Sequence, residues 1–354
     1  MTPTLMTEIR LIDSSEDNTW DQHVLSHDFS GPYLLTAWKN AVESAYGHDT
    51  FYLAACSGNE ITGVLPLVKV KPPLTNGVLV SLPFCDYGGI LADGRDTEKA
   101  LLQRAVELAD KLKTALEIRT PARCPAIEEN KKFIQVTDKC RMLLELPGNS
   151  TVLWSGLKSK LRSQIKKPLK EGLTARLGSR EMTGDFYRVF SRNMRDLGSP
   201  VHSRRWIETV VDTFGENACI GVVYRDSQPV GAGIILLHEK NITIPWASTL
   251  KEFNRFSPNM LLYWTFLEFA ADNGGRLFDF GRSTPGEGTY AFKKQWGALP
   301  APLFWYRYNS RGLPLKNHSS ENGRLRSALE GAWQRLPLQA ANALGPRVRK
   351  YIDK

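Results

Sequence analysis

With 354 residues, 42% of them apolar, and 9 Trp, the chain can bury more than one large core, and its length predicts two domains rather than one. A formal net charge of +9 implies an anionic partner: nucleic acid, a nucleotide-linked substrate or an acidic membrane surface. Five cysteines without a C-x-x-C pair and an N-terminus without an apolar signal core predict a reduced, cytoplasmic protein, and the longest apolar stretch, Met260 to Ala271, carries Glu268 and falls short of the roughly 20 residues a bilayer span needs.

Near the start, His23 and His27 stand at i, i+4 and could share a helix face for a metal, but no carboxylate or cysteine pattern accompanies them, so no metal is predicted. The scattered histidines define no Ser/His/Asp or Cys/His triad. The helical stretch LLTAWKNAVESAYG is followed by strands FYLAAC, ITGVLPLVKV and GVLVSL, a loop with Asp86-Tyr87-Gly88-Gly89, a helix from about Thr97 to Leu116, and strand LEIRT.

Between the halves, TVLWSGLKSKLRSQIKKPLKEG places Trp154, Leu157, Leu161, Ile165 and Leu169 at steps of three and four, one face of a helix. Lys158, Lys160, Arg162, Lys166, Lys167 and Lys170 fill the remaining arc with no acidic residue before Glu171, and Pro168 is expected to bend or end the helix. Without i, i+4 carboxylates these cations repel one another, which a polyanion would relieve; a solvated face is the competing interpretation.

The second half repeats the first. Helical GDFYRVFSRNMRDLG and RRWIETVVDTFG precede strands ACIGVVYR, VGAGIILLH and ITIPWAS; then come a helix opened by Ser257-Pro258 and stopped at Asn273-Gly274-Gly275, strand RLFDF, a short helix near Tyr290 to Trp296, and strand PLFWYRY. The shared order predicts a duplicated α/β domain, with domains at 1–150 and 151–308, the basic helix 151–172 opening the second, and a helical tail at 309–354. Gly231 and Gly233 make no dinucleotide fingerprint, because the third glycine position is Leu236 and the segment is a strand.

FDFGRSTPGEGTYAFKKQWGA, residues 278–298, joins a strand end to a permissive loop with hydroxyls and cations. It is not a P-loop, since Gly286 is followed by Glu287-Gly288 rather than Lys-Ser/Thr; an anion cradle and a simple surface turn are the readings left. Asp279, Glu287 and Tyr290 are the candidate acid–base groups here, and Asp279, between two Phe, is also placed to hydrogen-bond the Gly-rich loop. Arg282, Ser283, Thr284 and Lys294 offer anion contacts, with Arg282 suited to a bidentate phosphate contact.

LKSKLRSQIKKPLKEGL, SPNMLLYWTFLEFAADNGG and FDFGRS with FKKQWG together resemble the FemAB-like branch of the GNAT acyltransferase superfamily, in particular its members associated with exopolysaccharide and exosortase systems, over roughly residues 30 to 310. The resemblance implies two tandem GNAT-like domains with mixed, largely antiparallel sheets, and transfer of an acyl or aminoacyl group from acyl-CoA or aminoacyl-tRNA to an amine on a cell-envelope or exopolysaccharide precursor, with no permanently bound cofactor. The family's phosphate-associated basic residue corresponds to Arg162 or Lys166, and its lysine after the strand-end loop to Lys293. One departure bears on the donor: the [QR]-x-x-G-x-[GA] segment of CoA-using enzymes is here Arg255-Phe256-Ser257-Pro258-Asn259-Met260, with no glycine for a pyrophosphate to approach. The rival expectation is a catalytically silent basic protein that docks nucleic acid or an anionic membrane.

In the tail, Leu325, Leu329, Trp333 and Leu336, then Ala340, Leu344 and Val348, recur at helical spacing beside Arg347, Arg349 and Lys350. They predict either a peripheral contact with the inner face of an anionic membrane or packing on the second domain.

Overall fold

A computed structural model of the chain describes residues 7–27, 30–58, 60–308 and 323–352. Residues 309–322 of the expected tail and the side chain of Leu325 lie outside the described residues. The chain divides into two compact units, one built mainly from residues up to Cys140 and the other from Arg141–Pro300 with the C-terminal helices.

In the first unit, β1 (Glu8–Leu11), helices α1 (Asp17–Leu25) and α2 (Thr36–Tyr46), and strands β2 (Asp49–Ser57), β3 (Glu60–Val70), β4 (Val78–Val80) and β5 (Leu91–Ala92) precede α3 (Arg95–Lys111), β6 (Ala115–Thr120), α4 (Pro125–Glu128) and β7 (Phe133–Gln135). β1 through β4 pair antiparallel, and α3 then carries the chain back so that β6 runs parallel to β4. The helix buries Leu101, Leu102, Ala105, Leu108 and Ala109, a stripe at steps of three and four, on a sheet face that includes Leu53, Leu65 and Leu116.

The second unit holds β8 (Cys140–Glu145), α5 (Ser150–Gly156), α6 (Ser159–Lys170), β9 (Leu173–Gly178), α7 (Thr183–Asp196), α8 (Arg204–Phe214), β10 (Ala218–Arg225), β11 (Gln228–His238), β12 (Asn241–Thr249), α9 (Pro258–Asp272), β13 (Leu277–Ser283), α10 (Gly288–Lys294) and β14 (Leu299–Pro302). Its sheet order is β14-β8-β13-β12-β11-β10-β9. Again three antiparallel strands, β10 to β12, are followed by a helix that returns the chain to a parallel strand, β13. Gly221 and Gly233 stand opposite each other on β10 and β11, and a Cβ on either would fall within 2.8 Å of the Phe266 ring. These glycines admit an aromatic side chain of α9 against the sheet, which accounts for Gly233 without a nucleotide.

Two tandem GNAT-like units are therefore present, but the expected boundaries at 150 and 308 need correction. The last strand, β15 (Phe304–Tyr308), lies in the first sheet between β6 and β7 rather than in the second, and β8 lies in the second sheet between β13 and β14. A matching pair of charges accompanies the exchange. Glu117 of β6 is the last residue in the parallel ladder with β4 and accepts a 2.7 Å hydrogen bond from Arg307 of β15; Asp279 of β13 is the last in the ladder with β12 and accepts one of 2.8 Å from Arg141 of β8. Arg119, fully buried, also binds Glu117 and stacks on Trp305 with 4.2 Å to the ring centroid, and the two guanidinium groups hold the Glu117 carboxyl below its usual range against the opposing cost of burial.

The basic run forms two helices, with extended backbone at Leu157 and Lys158 between α5 and α6. Pro168 sits in the last turn of α6 without ending it; the helix stops at Lys170, before Gly172 at φ 79°. The tail forms α11 (Gly323–Gln334) and α12 (Leu338–Arg349), both packed against α7. Arg349 Nε donates to His202 Nε2 at 3.0 Å, Arg195 Nη1 donates to the Leu336 carbonyl at 3.1 Å, and Ala341 is buried. So the described part of the tail covers the second unit's own surface.

Candidate active site

The parallel ladder between β12 and β13 is only three pairs long, Asn241–Leu277 to Thr243–Asp279, although β12 continues to Thr249 and β13 to Ser283. A helix joining two parallel strands runs back antiparallel to them, so the N-terminus of α9 stands at the end where the strands have stopped pairing. That helix is 15 residues long, and its aligned peptide dipoles favour an anion there. Ser257, the residue before Pro258, has φ 58° and provides no side-chain cap.

Cations collect at the same place. The guanidinium carbons of Arg225 and Arg255 lie 4.1 and 4.6 Å from the centroid of the Phe256 ring, and Lys167 Nζ of α6 donates to the Arg255 carbonyl at 2.6 Å. The basic helix is thereby tied to the loop before α9. Lys166 projects over Trp154 at 5.6 Å, Trp154 in turn packs on Trp264 of α9 with 4.8 Å between ring centroids, and Arg162 Nη1 donates to the Ser155 carbonyl at 3.2 Å. The two phosphate candidates of the basic run, Arg162 and Lys166, contact residues of α5, while Lys167 reaches the segment before α9.

The strand end itself is held by buried charge. Asp279, 2% exposed, accepts from Arg141 Nε through Oδ2 and from the Gly281 N–H through Oδ1 at 2.9 Å. Gly281 has φ 75°, a conformation that disfavours a side chain and aims its N–H at that carboxylate. Lys293 of α10, 7% exposed, donates to the carbonyls of Gly281 and Arg282 at 3.0 and 2.8 Å. In this geometry Asp279 and Lys293 fix the end of β13 and the start of its loop, acting as positioning groups.

The other predicted residues follow in the same loop. Ser283 is buried at the end of β13, Arg282 and Thr284 are half-buried, and the Thr284 carbonyl accepts from the Glu287 N–H at 3.1 Å to form the turn into α10. Tyr290 is half-buried and Lys294 exposed on α10. Gly286, at φ 87°, has open space around its Cβ position, so the turn rather than close approach of another group requires it. Arg141 and Arg225 were not singled out by the sequence: one is the second residue of a strand after a boundary loop, the other the last residue of a hairpin strand, and neither belongs to a recognisable pattern.

Comparison with known proteins agrees with this architecture. Residues 156–294 match the family model described as Acetyltransferase (GNAT) domain. The fold is similar to the crystal structure of FemX, with 17% identity, a TM-score of 0.67, and coverage of 85% of this chain and 97% of that one. It is similar also to the C-terminal domain of a putative lysylphosphatidylglycerol synthetase from Agrobacterium fabrum (12% identity, TM-score 0.59, 84% and 92% covered). A tandem GNAT protein from the clavulanic acid biosynthesis pathway aligns at 13% identity and TM-score 0.58, with 85% and 98% covered. No curated protein matches the chain.

Proposed function

We propose, for a chain that carries a GNAT domain and whose fold is that of the FemAB-like branch of the GNAT acyltransferases, that it transfers an aminoacyl group from aminoacyl-tRNA to an amine on a phosphate-bearing precursor of the cell envelope or exopolysaccharide. The observation that carries the proposal is the pair of strands β12 and β13, whose pairing stops where the N-terminus of α9 meets Arg225, Arg255 and Lys167. A donor ester lying between the unpaired strand ends would have a phosphate within reach of those cations. Long side chains, in place of a glycine-lined backbone pocket, favour a polynucleotide donor over CoA. Support of a general kind comes from the names of the similar structures, FemX and lysylphosphatidylglycerol synthetase.

The transfer itself needs a neutral amine placed against an ester carbonyl, with the proton it loses passed on and the oxyanion stabilised; no covalent enzyme intermediate is required. Asp279 and Lys293 would serve by keeping the end of β13 in place, and the half-buried Tyr290, Arg282 and Thr284 would face the substrates.

The test is a donor screen. Purified protein is offered labelled aminoacyl-tRNAs, and in parallel acyl-CoAs with release of free thiol as the readout, each with and without amine acceptors carrying a phosphate. Acceptor-dependent loss of label from tRNA is the expected result. Thiol release instead would reassign the donor to acyl-CoA, and consumption of neither donor would favour the silent docking protein.

A further inference from the structure

We propose that the first unit binds a divalent metal ion of the zinc class through His23, His27 and Asp93. Nε2 of His27 lies 3.2 Å from Nε2 of His23 and 3.3 Å from Oδ1 of Asp93, and the three ligand atoms all fall within 4.8 Å of one another. Ligands about 2.0–2.1 Å from a tetrahedral ion are about 3.3 Å apart, so the two measured edges already have the length a bound zinc requires. Among the described residues, no other three His, Cys, Asp or Glu side chains approach so closely.

The supports of the site are in place. His23 lies on α1 and is 8% exposed, and its Nε2 is turned toward Nε2 of His27. The backbone of Asp93 is fixed by its N–H, which donates to the Thr62 carbonyl at 2.9 Å, and that of His27 by a 3.3 Å bond to Val24. Asp93 follows β5, so the ion would pin the end of α1 to the start of α3.

Three protein ligands leave one position of a tetrahedron open. Asp93 is 55% exposed, and His27 also lines a cavity of about 250 Å³ together with Glu98, Thr120, Arg123 and Cys124. The fourth position would be open to water or a small ligand, with space beside it. In the metal-free protein, a hydrogen bond between the two imidazoles and one from His27 to Asp93 would account for the same distances, so binding has to be measured directly.

The experiment uses the full chain without a polyhistidine tag, stripped with a chelator and dialysed. Zn(II) is titrated by calorimetry, and Co(II) is added as a spectroscopic probe. One equivalent taken up, an intense tetrahedral cobalt absorption that Zn(II) abolishes, and a Tm that rises with Zn(II) concentration are expected. His27→Gln and Asp93→Asn, both at accessible positions, should each weaken Zn(II) binding by about tenfold or more, the least that loss of even an outer-shell partner costs. His48→Gln removes an imidazole elsewhere in the same unit and should leave affinity unchanged. No uptake by the wild type, equal affinity in all three variants, or a weak six-coordinate cobalt spectrum would each overturn the proposal.

Discussion

Arg141 and Asp279 are 138 positions apart in the chain, yet Nε of the first donates to Oδ2 of the second at 2.8 Å, with 14% and 3% of their side chains exposed. Asp279→Asn keeps an acceptor for the Gly281 N–H but removes the charge that Asp279 sets against the guanidinium. Breaking a buried pair on one side costs about 3–5 kcal/mol, so denaturant melts should show a large loss of stability. Replacing both partners, Arg141→Met with Asp279→Leu, should recover much of it. A small loss in Asp279→Asn with a large one in the double variant would show that the Gly281 hydrogen bond, rather than the charge pair, is the stabilising contact.

Lys293→Met should lower Tm by several degrees. The sequence alone predicts a nearly unchanged midpoint, on the view that this lysine serves only the site, but its ammonium satisfies two carbonyls that the variant would leave bare, at about 1–3 kcal/mol for a buried unsatisfied group. Turnover per folded molecule should fall as well, because the end of β13 loosens. A variant with full stability and no turnover would return Lys293 to direct catalysis.

Replacing Lys166 and Lys167 together with Gln should weaken binding of tRNA and flatten its salt dependence. Lys167→Gln alone should produce most of the effect, since it is the lysine that reaches the loop before α9. Filter binding across a salt series measures both; affinity that is unchanged at every ionic strength would make the basic helix a solvated face.

Acid should destabilise the second unit below pH about 6.5. His238 is pushed down to about 4 by burial, and His202 is held well below its ordinary value by burial and by Arg349 beside it. Because the unfolded chain binds these protons more readily than the folded one, the stabilisation is complete above the unfolded value and is lost as pH falls toward the folded one. For His238 the full loss is about 3 kcal/mol. Denaturant midpoints at pH 7.5, 6 and 4.5 should fall in that order, and His238→Leu should reduce the slope.

Truncation before Gly323 should lower the stability of the second unit, because it uncovers α7 and removes one hydrogen bond each from His202 and Arg195. If the tail packs only on its own unit, full-length protein should not sediment with anionic vesicles at low salt. Sedimentation that the truncation abolishes would add a membrane contact to the packing seen here.

The order of elements was legible because each depends on local pattern: alternation for the strands, steps of three and four for α3 and α6, Ser257-Pro258 for the start of α9. Duplication followed from the order. Which sheet a strand joins was not legible, since PLFWYRY, coming directly after KKQWGA, has the same apolar alternation whether it pairs beside β13 or beside β6. The cradle-like composition of the loop after β13 was visible, but Lys293 looked accessible because a lysine in a helix next to a glycine loop gives no sign that its ammonium turns inward. His23 and His27 announced themselves by spacing, whereas Asp93 joins them only through the pairing of β5 with β3.

The exchange of β8 and β15 also orders events during synthesis. The ribosome delivers β6 and β7 long before the strand that separates them, so the nascent first sheet waits with two open edges, and Glu117 without Arg307, while all the strands of the second sheet are made. The second sheet meets no such delay, because β8 has emerged before β13 and β14. Although it is encoded later, the second sheet is the first that can close.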